Sequence, residues 1–274
     1  MFFICKPGCG ECIGGNGKEV EEVLGAGSGE SRVARGETSF SKGSRYTGEW
    51  IGNMPDGRGT QVWPDGGTYR GEFRAGKAEG TGTFHYANGN VYTGPWVNDH
   101  AHGRGTCTRP DGSVYTGEWV RGKQHGQGEL RMQDGSKYVG QYKDGVKNGV
   151  GTIVCKGDKE GCSYEGQYAE DVCNGKGTYK WADGRKYQGQ WKNGKMSGHG
   201  VFEFPDGRKY EGQYEDDQKS GQGTFEWPDG RRYKGQFQAG KQHGHGTFKD
   251  TQGNIREGDW DMGRCTQTME LAEA

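Results

Sequence analysis

Apolar and polar residues alternate in short stretches along most of the chain. In YTGEW, from Tyr115 to Trp119, the two aromatic residues and the glycine between them are spaced by two, and Thr and Glu fill the remaining positions. Spacing by two is the period of a β-strand, so Tyr, Gly and Trp share one face. The pattern therefore predicts a short strand with an aromatic face and a polar face.

This aromatic triplet occurs in nine copies that begin 23 residues apart, except for one interval of 26 that ends at Tyr164. A tenth copy starts with Arg256 instead of tyrosine and ends at Trp260. A fixed period is typical of repeat proteins, in which each repeat contacts its neighbours along one axis. The predicted structural positions are Tyr46, Gly48, Trp50, Tyr69, Gly71, Phe73, Tyr92, Gly94, Trp96, Tyr115, Gly117, Trp119, Tyr138, Gly140, Tyr142, Tyr164, Gly166, Tyr168, Tyr187, Gly189, Trp191, Tyr210, Gly212, Tyr214, Tyr233, Gly235 and Phe237.

A second alternating stretch follows each triplet. In the fourth repeat Gly126, Gly128, Leu130 and Met132 are spaced by two, with polar residues between most of them. We therefore predict a second strand whose glycines and apolar side chains extend the aromatic face. Each repeat would then be a β-hairpin with one aromatic and one polar face.

The predicted hairpin register gives the glycines a packing role. A turn around residues 51–56 of the first repeat would place Gly48 opposite Gly59 and Trp50 opposite Gly57. Because glycine has no side chain, aromatic rings could lie flat across the strands at these positions. Neighbouring repeats must contribute to this packing, since an isolated hairpin is only marginally stable in water.

Turn signals separate the predicted strands. Asp-Gly pairs such as Asp111-Gly112 connect successive repeats, and this dipeptide is typical of tight hairpin turns. The seventh residue after each tyrosine belongs to the types that tolerate a positive φ angle. Because the turn within each hairpin and the connection between hairpins are both tight, successive hairpins must lie side by side. These turn residues are Asn53, Gly76, Asp99, Gly122, Gly145, Asp171, Gly194, Asp217 and Gly240.

The motif Tyr-x-Gly-x-Trp-x-x-Gly-Lys-x-His-Gly-x-Gly, from Tyr115 to Gly128, resembles the MORN (membrane occupation and recognition nexus) repeat. The resemblance covers residues 46–263, and a half-repeat from Gly36 to Arg45 precedes it. It implies an all-β fold, an elongated single-layer antiparallel sheet of stacked β-hairpins that forms a twisted, solenoid-like ribbon. The expected divisions are a flexible Cys- and Gly-rich segment (1–35), the MORN-repeat array (36–264) and a short C-terminal tail (265–274).

The composition by itself is ambiguous about folding. Glycine accounts for 56 of 274 residues and the mean hydropathy is -1.08, values that are typical of flexible chains. Aromatic residues nevertheless make up 12% of the chain, whereas disordered chains are poor in them. These side chains need a buried environment, which stacked repeats would provide.

No group of residues in the sequence has the arrangement of a catalytic site. Gly-x-Gly recurs in the repeats without the third glycine of a dinucleotide-binding loop, and no Gly-Lys-Ser/Thr phosphate loop occurs. His102 and His125 occupy equivalent positions, but a repeat spacing of roughly 9.6 Å would keep them from sharing one metal ion. We therefore predict a protein that is not an enzyme and uses no cofactor.

The N-terminal segment contains the candidate metal ligands. Cys5, Cys9 and Cys12 have a spacing that also occurs in iron–sulfur enzymes that use S-adenosylmethionine. Those enzymes surround the cluster with a large α/β barrel, which this sequence does not predict, so a mobile segment with reduced thiols is the preferred interpretation. The apolar run 1–4 is too short for a signal peptide or a membrane span, which predicts a cytoplasmic location.

Charge separates the remaining function classes only in part. The formal net charge of -1 argues against a general nucleic-acid binder. Lys137, Lys186, Lys209 and Arg232 each precede a repeat tyrosine, so they would form a broken basic column on the polar face. Such a column is a candidate site for anionic lipid. A solvated face with cross-strand ion pairs is the alternative that we prefer.

The resemblance implies two classes of function. MORN proteins similar to this one organise cytoskeletal, ciliary or membrane-associated assemblies, and their arrays can form homodimers. Other MORN arrays precede phosphatidylinositol phosphate kinase or lysine methyltransferase domains, and neither domain is expected here because the array runs almost to the end of the chain. We expect a non-catalytic scaffold with protein partners, located in the cytoplasm, at the cytoskeleton or cilium, or on a membrane surface. The alternative is a module that binds phosphoinositide or other anionic phospholipid, or that regulates a lipid-directed or methyltransferase system.

Overall fold

The computed structural model describes residues 31–270, with side chains through residue 268. These residues form 22 β-strands and one 3-10 turn at Gly157–Lys159, so the predicted all-β class is confirmed. The chain divides into two compact parts, an N-terminal part that ends at Lys147 and a C-terminal part that begins at Asn148.

Strands of seven and nine residues alternate in most repeats of both parts, as expected for hairpins. The N-terminal part contains β1 (Val33–Ser39), β2 (Arg45–Ile51), β3 (Met54–Val62), β4 (Thr68–Arg74), β5 (Lys77–His85), β6 (Val91–Val97), β7 (His100–Ala101), β8 (Gly103–Thr108), β9 (Val114–Val120), β10 (Lys123–Arg131) and β11 (Lys137–Lys143). After β12 (Val146–Val154), which crosses the boundary, come β13 (Ser163–Ala169), β14 (Val172–Lys180), β15 (Lys186–Lys192), β16 (Lys195–Glu203), β17 (Lys209–Glu215), β18 (Gln218–Glu226), β19 (Arg232–Gln238), β20 (Lys241–Lys249), β21 (Ile255–Asp261) and β22 (Arg264–Glu270).

Within each part the repeats form antiparallel hairpins, and each hairpin pairs with the next one in the same part. In the first repeats β2 pairs with β3, and β3 pairs with β4. Gly48 lies opposite Gly59, as predicted. Trp50 lies opposite Pro55 and not Gly57, so this part of the predicted register was wrong.

A β-bulge at the first glycine of the Gly-x-Gly, found in most repeats, causes this difference. The register of β10 against β9 shifts between His125 and Gly128, and Gly126 has a φ angle of +54°. A side chain at Gly126 would collide with the carboxylate of Glu118 on the polar face. The alternation predicts both glycines on the aromatic face, whereas only Gly128 lies there, because the extra residue of a bulge reverses the alternation.

A side chain from the facing strand holds the bulge in most repeats. The fourth residue of the repeat, counted from the tyrosine, is usually Glu or Gln, and its side-chain oxygen accepts a hydrogen bond from the backbone after the bulge glycine. Gln190, for example, accepts from the N–H of His199 at 2.8 Å. The third repeat has Pro95 at this position, and the N–H of His102 bonds to the Pro95 carbonyl instead at 3.0 Å. Without the side-chain acceptor, the strand is divided into β7 and β8.

Two-residue turns close the hairpins. In the second repeat Ala75 and Gly76 have φ angles of 48° and 79°, the pattern of a type I′ turn. A positive φ is therefore confirmed at most of the predicted turn positions, and the residue before shares it, even where that residue is Arg121. In the first hairpin Gly52 takes the positive φ, and the predicted Asn53 does not.

Most turns also bond to the preceding repeat of their part. The N–H of Gly122 donates to the carbonyl of Ala101 at 2.9 Å, and equivalent bonds recur from repeat to repeat. Where Asp217 replaces the turn glycine, its N–H donates to the carbonyl of Met196, and its carboxylate accepts from the Met196 N–H at 2.8 Å. The aspartate therefore keeps the turn geometry and adds a second bond between repeats.

The connections between repeats are tight loops, as the Asp-Gly pairs predict. Their glycines have positive φ angles, such as 84° at Gly112. The three extra residues of the fifth connection form the 3-10 turn at Gly157–Lys159. The N–H of Cys155 still bonds to the carbonyl of Cys162 across this longer loop, at 3.0 Å. The insertion therefore lengthens one loop while β12 and β13 stay paired.

The core of each part is a layer of aromatic rings on one face of the sheet. The nine repeat tyrosines are at most 1% exposed. The ring of Tyr115 covers Gly117 and Gly128, and a Cβ added at Gly128 would lie 2.5 Å from ring carbon Cε2. The Tyr115 hydroxyl donates to the carbonyl of Glu118 at 3.1 Å, and the other eight tyrosines make the same bond. The close approach of the ring is what requires glycine at these positions.

Edge-to-face contacts join the rings of neighbouring repeats. Tyr187 contacts Trp191 of its own repeat at a centroid distance of 5.1 Å, and Tyr214 of the next repeat at 5.2 Å. The Nε1 of Trp191 donates to the carbonyl of Gly177 in the preceding repeat at 3.1 Å. Such ring pairs contribute about 0.5–1.5 kcal/mol beyond area burial, so the rings couple each repeat to its neighbours within the part.

The first and last described strands extend beyond the predicted array. β1 begins at Val33, inside the segment expected to be flexible, and pairs with β2. β22 pairs with β21, so residues expected to form a tail continue the sheet as far as Glu270.

Candidate functional site

The polar face, opposite the aromatic rings, carries the charged and amide side chains that a partner would meet. Along β17, Lys209, Glu211, Gln213 and Glu215 are exposed or half-buried, and they alternate with buried residues such as Tyr210. The division into two faces follows the predicted alternation, so the candidate site is built from every second residue of the strands.

The four basic residues predicted as a lipid-binding column lie on this face, and each pairs with a carboxylate. At Glu129, hydrogen bonds from Lys137 and then Arg131 hold the pKa of the carboxyl below its ordinary value. Pairing leaves less uncompensated positive charge for an anionic lipid than the sequence suggests. The nitrogen–oxygen distances are 2.8 Å for Lys137 with Glu129, 3.2 Å for Lys186 with Glu203, 3.1 Å for Lys209 with Glu211 and 3.4 Å for Arg232 with Glu226.

In the C-terminal part these basic residues alternate with acidic ones across the sheet. Glu203 lies between Lys186 and Lys209 in the register of β15–β17. Glu226 lies between Lys209 and Arg232 in the register of β17–β19. We call these five residues the alternating-charge row. Opposite charges directly across strands stabilise the pairing, so the row agrees with the preferred interpretation of an ion-paired face.

The alternating-charge row borders a groove with a volume of about 550 Å³ on the polar face of β16–β19. Small-molecule sites have similar volumes, roughly 300–1,000 Å³, but their walls are mostly apolar. The walls of this groove are polar, with three basic and two acidic side chains among them. The polar residues that line it are His199, Lys209, Glu211, Gln213, Gln222, Thr224, Glu226, Arg232 and Lys234.

The groove side chains differ in their availability to a partner. Gln213 is engaged, because its Oε1 accepts a hydrogen bond from the backbone of Gln222 at 2.7 Å. The side chains of Gln222, Thr224 and Lys234 have no hydrogen bond or ion pair with any other residue in the range 31–270. These three can therefore bond to an incoming chain without breaking an existing contact.

A second polar cluster lies on the same face where β20 pairs with β21. Nε2 of His245 lies 2.6 Å from Glu257 Oε1, and its Nδ1 lies 3.2 Å from Asp259 Oδ1. Glu257 and then Asp259 raise the pKa of the His245 imidazole above its ordinary value of 6.5. Both ring nitrogens donate hydrogen bonds only when the ring is protonated, so the charged form joins the two strands more strongly.

We expect the β20–β21 pairing to weaken as the pH rises above the ordinary histidine pKa of 6.5 and through the raised pKa of His245. Since the pKa of His245 is raised in the folded state, its stabilisation is complete below the unfolded pKa and is lost as pH rises through the folded pKa. Hydrogen–deuterium exchange of the β21 amides, corrected for intrinsic rates, should show less protection at the alkaline end. His245→Gln should remove this dependence, and a variant that retains it in full would disprove the assignment.

Within residues 31–270, no group of three or more His, Cys, Asp or Glu side chains is arranged to hold a metal ion. Cys5, Cys9 and Cys12 lie outside that range, so the hypothesis about them stays a prediction. The same range contains no helix with the length and apolar character needed to cross a bilayer.

Several groove residues were not singled out from the sequence. Glu211, Gln222, Thr224 and Lys234 occupy ordinary polar positions in their repeats. Their spacing by two on successive polar strands is the signal that could have grouped them. The groove depends on how the polar side chains of β16–β19 are arranged around it, which the repeat pattern does not specify.

The repeat pattern matches a known family model. A model described as MORN repeat matches nine consecutive segments of the chain. A comparison with curated protein sequences finds no match. The matched segments are 46–68, 69–91, 92–114, 115–137, 138–157, 164–184, 187–207, 210–231 and 233–255.

Solved structures give only distant similarities. The TCP10 domain of Danio rerio CPAP is 13% identical, with 86% of this chain and 99% of that chain covered and a TM-score of 0.29. The Drosophila melanogaster SAS-4 (dCPAP) TCP domain, in complex with a proline-rich motif of Ana2 (dSTIL), is 13% identical, with 64% and 86% covered and a TM-score of 0.33. An inactive virginiamycin B lyase from Staphylococcus aureus is 9% identical, with 84% and 85% covered and a TM-score of 0.17. At these scores the similarities support no conclusion about function or partners.

Proposed function

Because this chain belongs to the MORN-repeat family, we propose that it is a non-catalytic scaffold that binds other proteins through the polar face of its repeats. The aromatic face is occupied by the protein's own core, since the repeat tyrosines are buried. The polar face is therefore the broad surface that remains for a partner. Repeat proteins commonly bind along such extended surfaces.

The observation that carries this proposal is the polar groove between β16 and β19. Its size allows a chain segment to enter, and Gln222, Thr224 and Lys234 offer unengaged donors and acceptors. Its basic and acidic walls match a polar segment that carries both charges, because complementary charges guide and orient protein association. An apolar ligand would leave these polar groups without partners, which costs free energy.

The family resemblance also suggests what this scaffold assembles. By the family resemblance, the scaffold organises a cytoskeletal, ciliary or membrane-associated assembly, and its array forms homodimers. Protein partners agree with the mixed charges of the groove. The same charges disfavour nucleic acid, whose phosphates require a surplus of basic contacts.

Binding of phosphoinositide or other anionic lipid is the alternative, and the basic residues of the polar face are what favour it. A juxtamembrane basic residue contributes about 1 kcal/mol of attraction to an anionic membrane. In this protein Lys186, Lys209 and Arg232 alternate with Glu203 and Glu226, so their attraction is largely offset by neighbouring repulsion. We therefore prefer the protein-binding function.

Two variants distinguish these functions in cells. Gln222→Trp fills the groove without changing its charge, and we expect it to abolish localisation to the assembly. Gln127→Trp is the matched control, because Gln127 occupies the same exposed position in the fourth repeat, outside the groove. Imaging of tagged full-length proteins measures the outcome, and equal localisation of the two variants would contradict the groove as the binding site.

The lipid alternative is tested by changing Lys186, Lys209 and Arg232 together to glutamine. The scaffold function predicts that localisation is weakened but not lost, because this triple variant removes two basic groove residues, Lys209 and Arg232, and leaves Gln222, Thr224 and Lys234 in place. Loss of localisation in this triple variant, together with normal localisation of Gln222→Trp, would establish the lipid function instead. Co-sedimentation with vesicles that contain phosphatidylinositol 4,5-bisphosphate, at low and high salt, checks that result directly.

A further inference from the structure

Three aromatic residues form a regular row along one rim of the aromatic face in the C-terminal part. Trp181, Phe204 and Trp227 each follow directly after the second strand of a repeat, and each is half-buried. The register of β14–β18 aligns these strand ends across the sheet. The three side chains, which we call the rim rings, therefore lie two strands apart, at intervals of roughly 9.6 Å.

Buried phenylalanines hold the rim rings in place. Phe202 contacts Trp181 at a ring-centroid distance of 5.2 Å and Phe204 at 4.6 Å. Phe225 contacts Phe204 at 6.3 Å and Trp227 at 4.6 Å. Phe202 and Phe225 are 7% and 8% exposed and belong to the core, whereas the rim rings keep part of their surface open. The protein thus presents aromatic surface at fixed intervals.

An arginine of the following loop lies over each rim ring. The guanidinium carbon of Arg208 lies 4.7 Å from the centroid of Phe204, and Arg185 and Arg231 lie 5.3 and 5.4 Å from the two tryptophans. The Nε of each arginine donates to a loop aspartate at 2.7 Å, and the Nη atoms have no hydrogen bond to any residue in the range 31–270. Each guanidinium therefore keeps donors for a bound chain while its charge is compensated.

The carboxylate acceptors of these loops are already used. Both carboxylate oxygens of Asp206 accept hydrogen bonds from Arg208, and the aspartates of the two neighbouring loops make the same pair of bonds. The indole N–H of Trp227 has no acceptor within the described part of the chain, whereas that of Trp191, in the core, donates to Gly177. The rim therefore fits a ligand that supplies acceptors and apolar surface.

We propose that the rim rings bind a proline-rich segment of a partner protein in the polyproline II conformation. This helix has three residues per turn and a rise of about 3.1 Å per residue, so prolines at every third position recur at about 9.3 Å. The rim rings recur at roughly 9.6 Å. Three successive prolines of such a segment can therefore meet the three rings with a cumulative mismatch of less than about 1 Å.

The hydrogen-bonding groups of the rim also fit proline. Proline has no backbone N–H, and the carbonyls of a polyproline II helix have no partner within the helix. They can accept from the arginine Nη atoms and from the Trp227 indole, as in other aromatic-lined grooves that bind such segments. An acidic segment would instead face the three loop aspartates. The rim rings are separate from the polar groove, so this inference does not depend on the proposed scaffold function.

The test measures binding of fluorescein-labelled peptides of one to five Pro-Pro-Ala triplets to the intact protein by fluorescence anisotropy. We expect the affinity to rise about fivefold with each triplet up to three, because each turn covers one more ring, and to level off in longer peptides. Flexible Gly-Ser-Ala and acidic Glu-Ser-Ala peptides of the same lengths are the controls. Absence of binding by the proline peptides, or equal or tighter binding by either control, would overturn the proposal.

Three variants locate the binding on the rim. Trp227→Leu keeps an apolar side chain but removes the ring and its N–H, and it should weaken binding of the three-triplet peptide about fivefold. Arg231→Met removes only guanidinium donors from an exposed residue, so a weaker affinity there does not result from a folding defect. Gln222→Trp, which fills the polar groove, should bind the peptide as the wild type does. Unchanged affinity in both rim variants, or loss of binding in Gln222→Trp, would overturn the assignment to the rim rings.

Discussion

Replacing Gly128 by valine should destabilise the protein by about 3 kcal/mol, the upper end of the usual cost of overpacking. A Cβ at this position would lie 2.5 Å from the Tyr115 ring, a distance that forces an atom to move. The ring cannot move easily, because it is 1% exposed and packs against Trp119 at 5.3 Å and Tyr142 at 5.1 Å. The same ring also covers the facing glycine, Gly117, so it cannot move aside onto the partner strand.

Gln127→Val is the matched control, since it adds the same side chain at the adjacent residue on the exposed polar face. The Gln127 backbone bond to Glu118 does not involve the replaced side chain. We expect this variant to unfold within about 0.5 kcal/mol of the wild type, as surface substitutions usually do. Urea unfolding of both variants measures the difference, and equal midpoints would show that the two faces are assigned wrongly.

Removing a repeat tyrosine should have an even larger effect, and Tyr187→Ala should cost about 3–5 kcal/mol. The ring of Tyr187 is fully buried and covers Gly189 and Gly200. It also makes edge-to-face contacts with Trp191 and Tyr214, so its removal breaks the connection to the next repeat. The surrounding glycines have no side chains that could fill the cavity.

Tyr187→Phe separates the ring from its hydroxyl. The hydroxyl donates to the carbonyl of Gln190 at 2.9 Å, next to the bulge. Loss of this one bond should cost about 1 kcal/mol, well below the cost of losing the ring. Calorimetric melting of the two variants gives both values. If Tyr187→Phe were as damaging as Tyr187→Ala, the hydroxyl and not the ring packing would be the main contribution of the tyrosine.

The sequence was sufficient to predict the fold class, the strand faces and most of the turns. These features depend on local rules, because a period of two fixes the face of a residue and a positive φ restricts the residue type. Tyr115 and Trp119 therefore lie on the buried face as predicted, and Gly122 lies in a turn.

The bulge could not be predicted in the same way. Gly126 and Gly128 have the same residue type and the spacing of a regular strand, yet they serve different purposes. Gly128 provides space for a ring, whereas Gly126 provides a positive φ angle. The distinguishing signal is Glu118, whose carboxylate bonds to the backbone after the bulge, and it is remote from both glycines in the sequence.

The candidate sites were less predictable because they combine residues of several repeats. Lys209 looks like a free basic residue until the register places Glu203 and Glu226 on either side of it. Pairing between repeats therefore decides which charges are compensated.

The bonds from turns to preceding repeats have a consequence for protein synthesis. In the backbone bonds the acceptor, such as the Lys219 carbonyl, belongs to the earlier repeat, and the donor, such as the Gly240 N–H, belongs to the later one. Translation proceeds from the N-terminus, so the acceptor is already in place when the next hairpin leaves the ribosome. Each nascent hairpin can then bond to the edge strand of the preceding, already folded repeat. The sheet of each part can therefore grow in the order in which its repeats are translated.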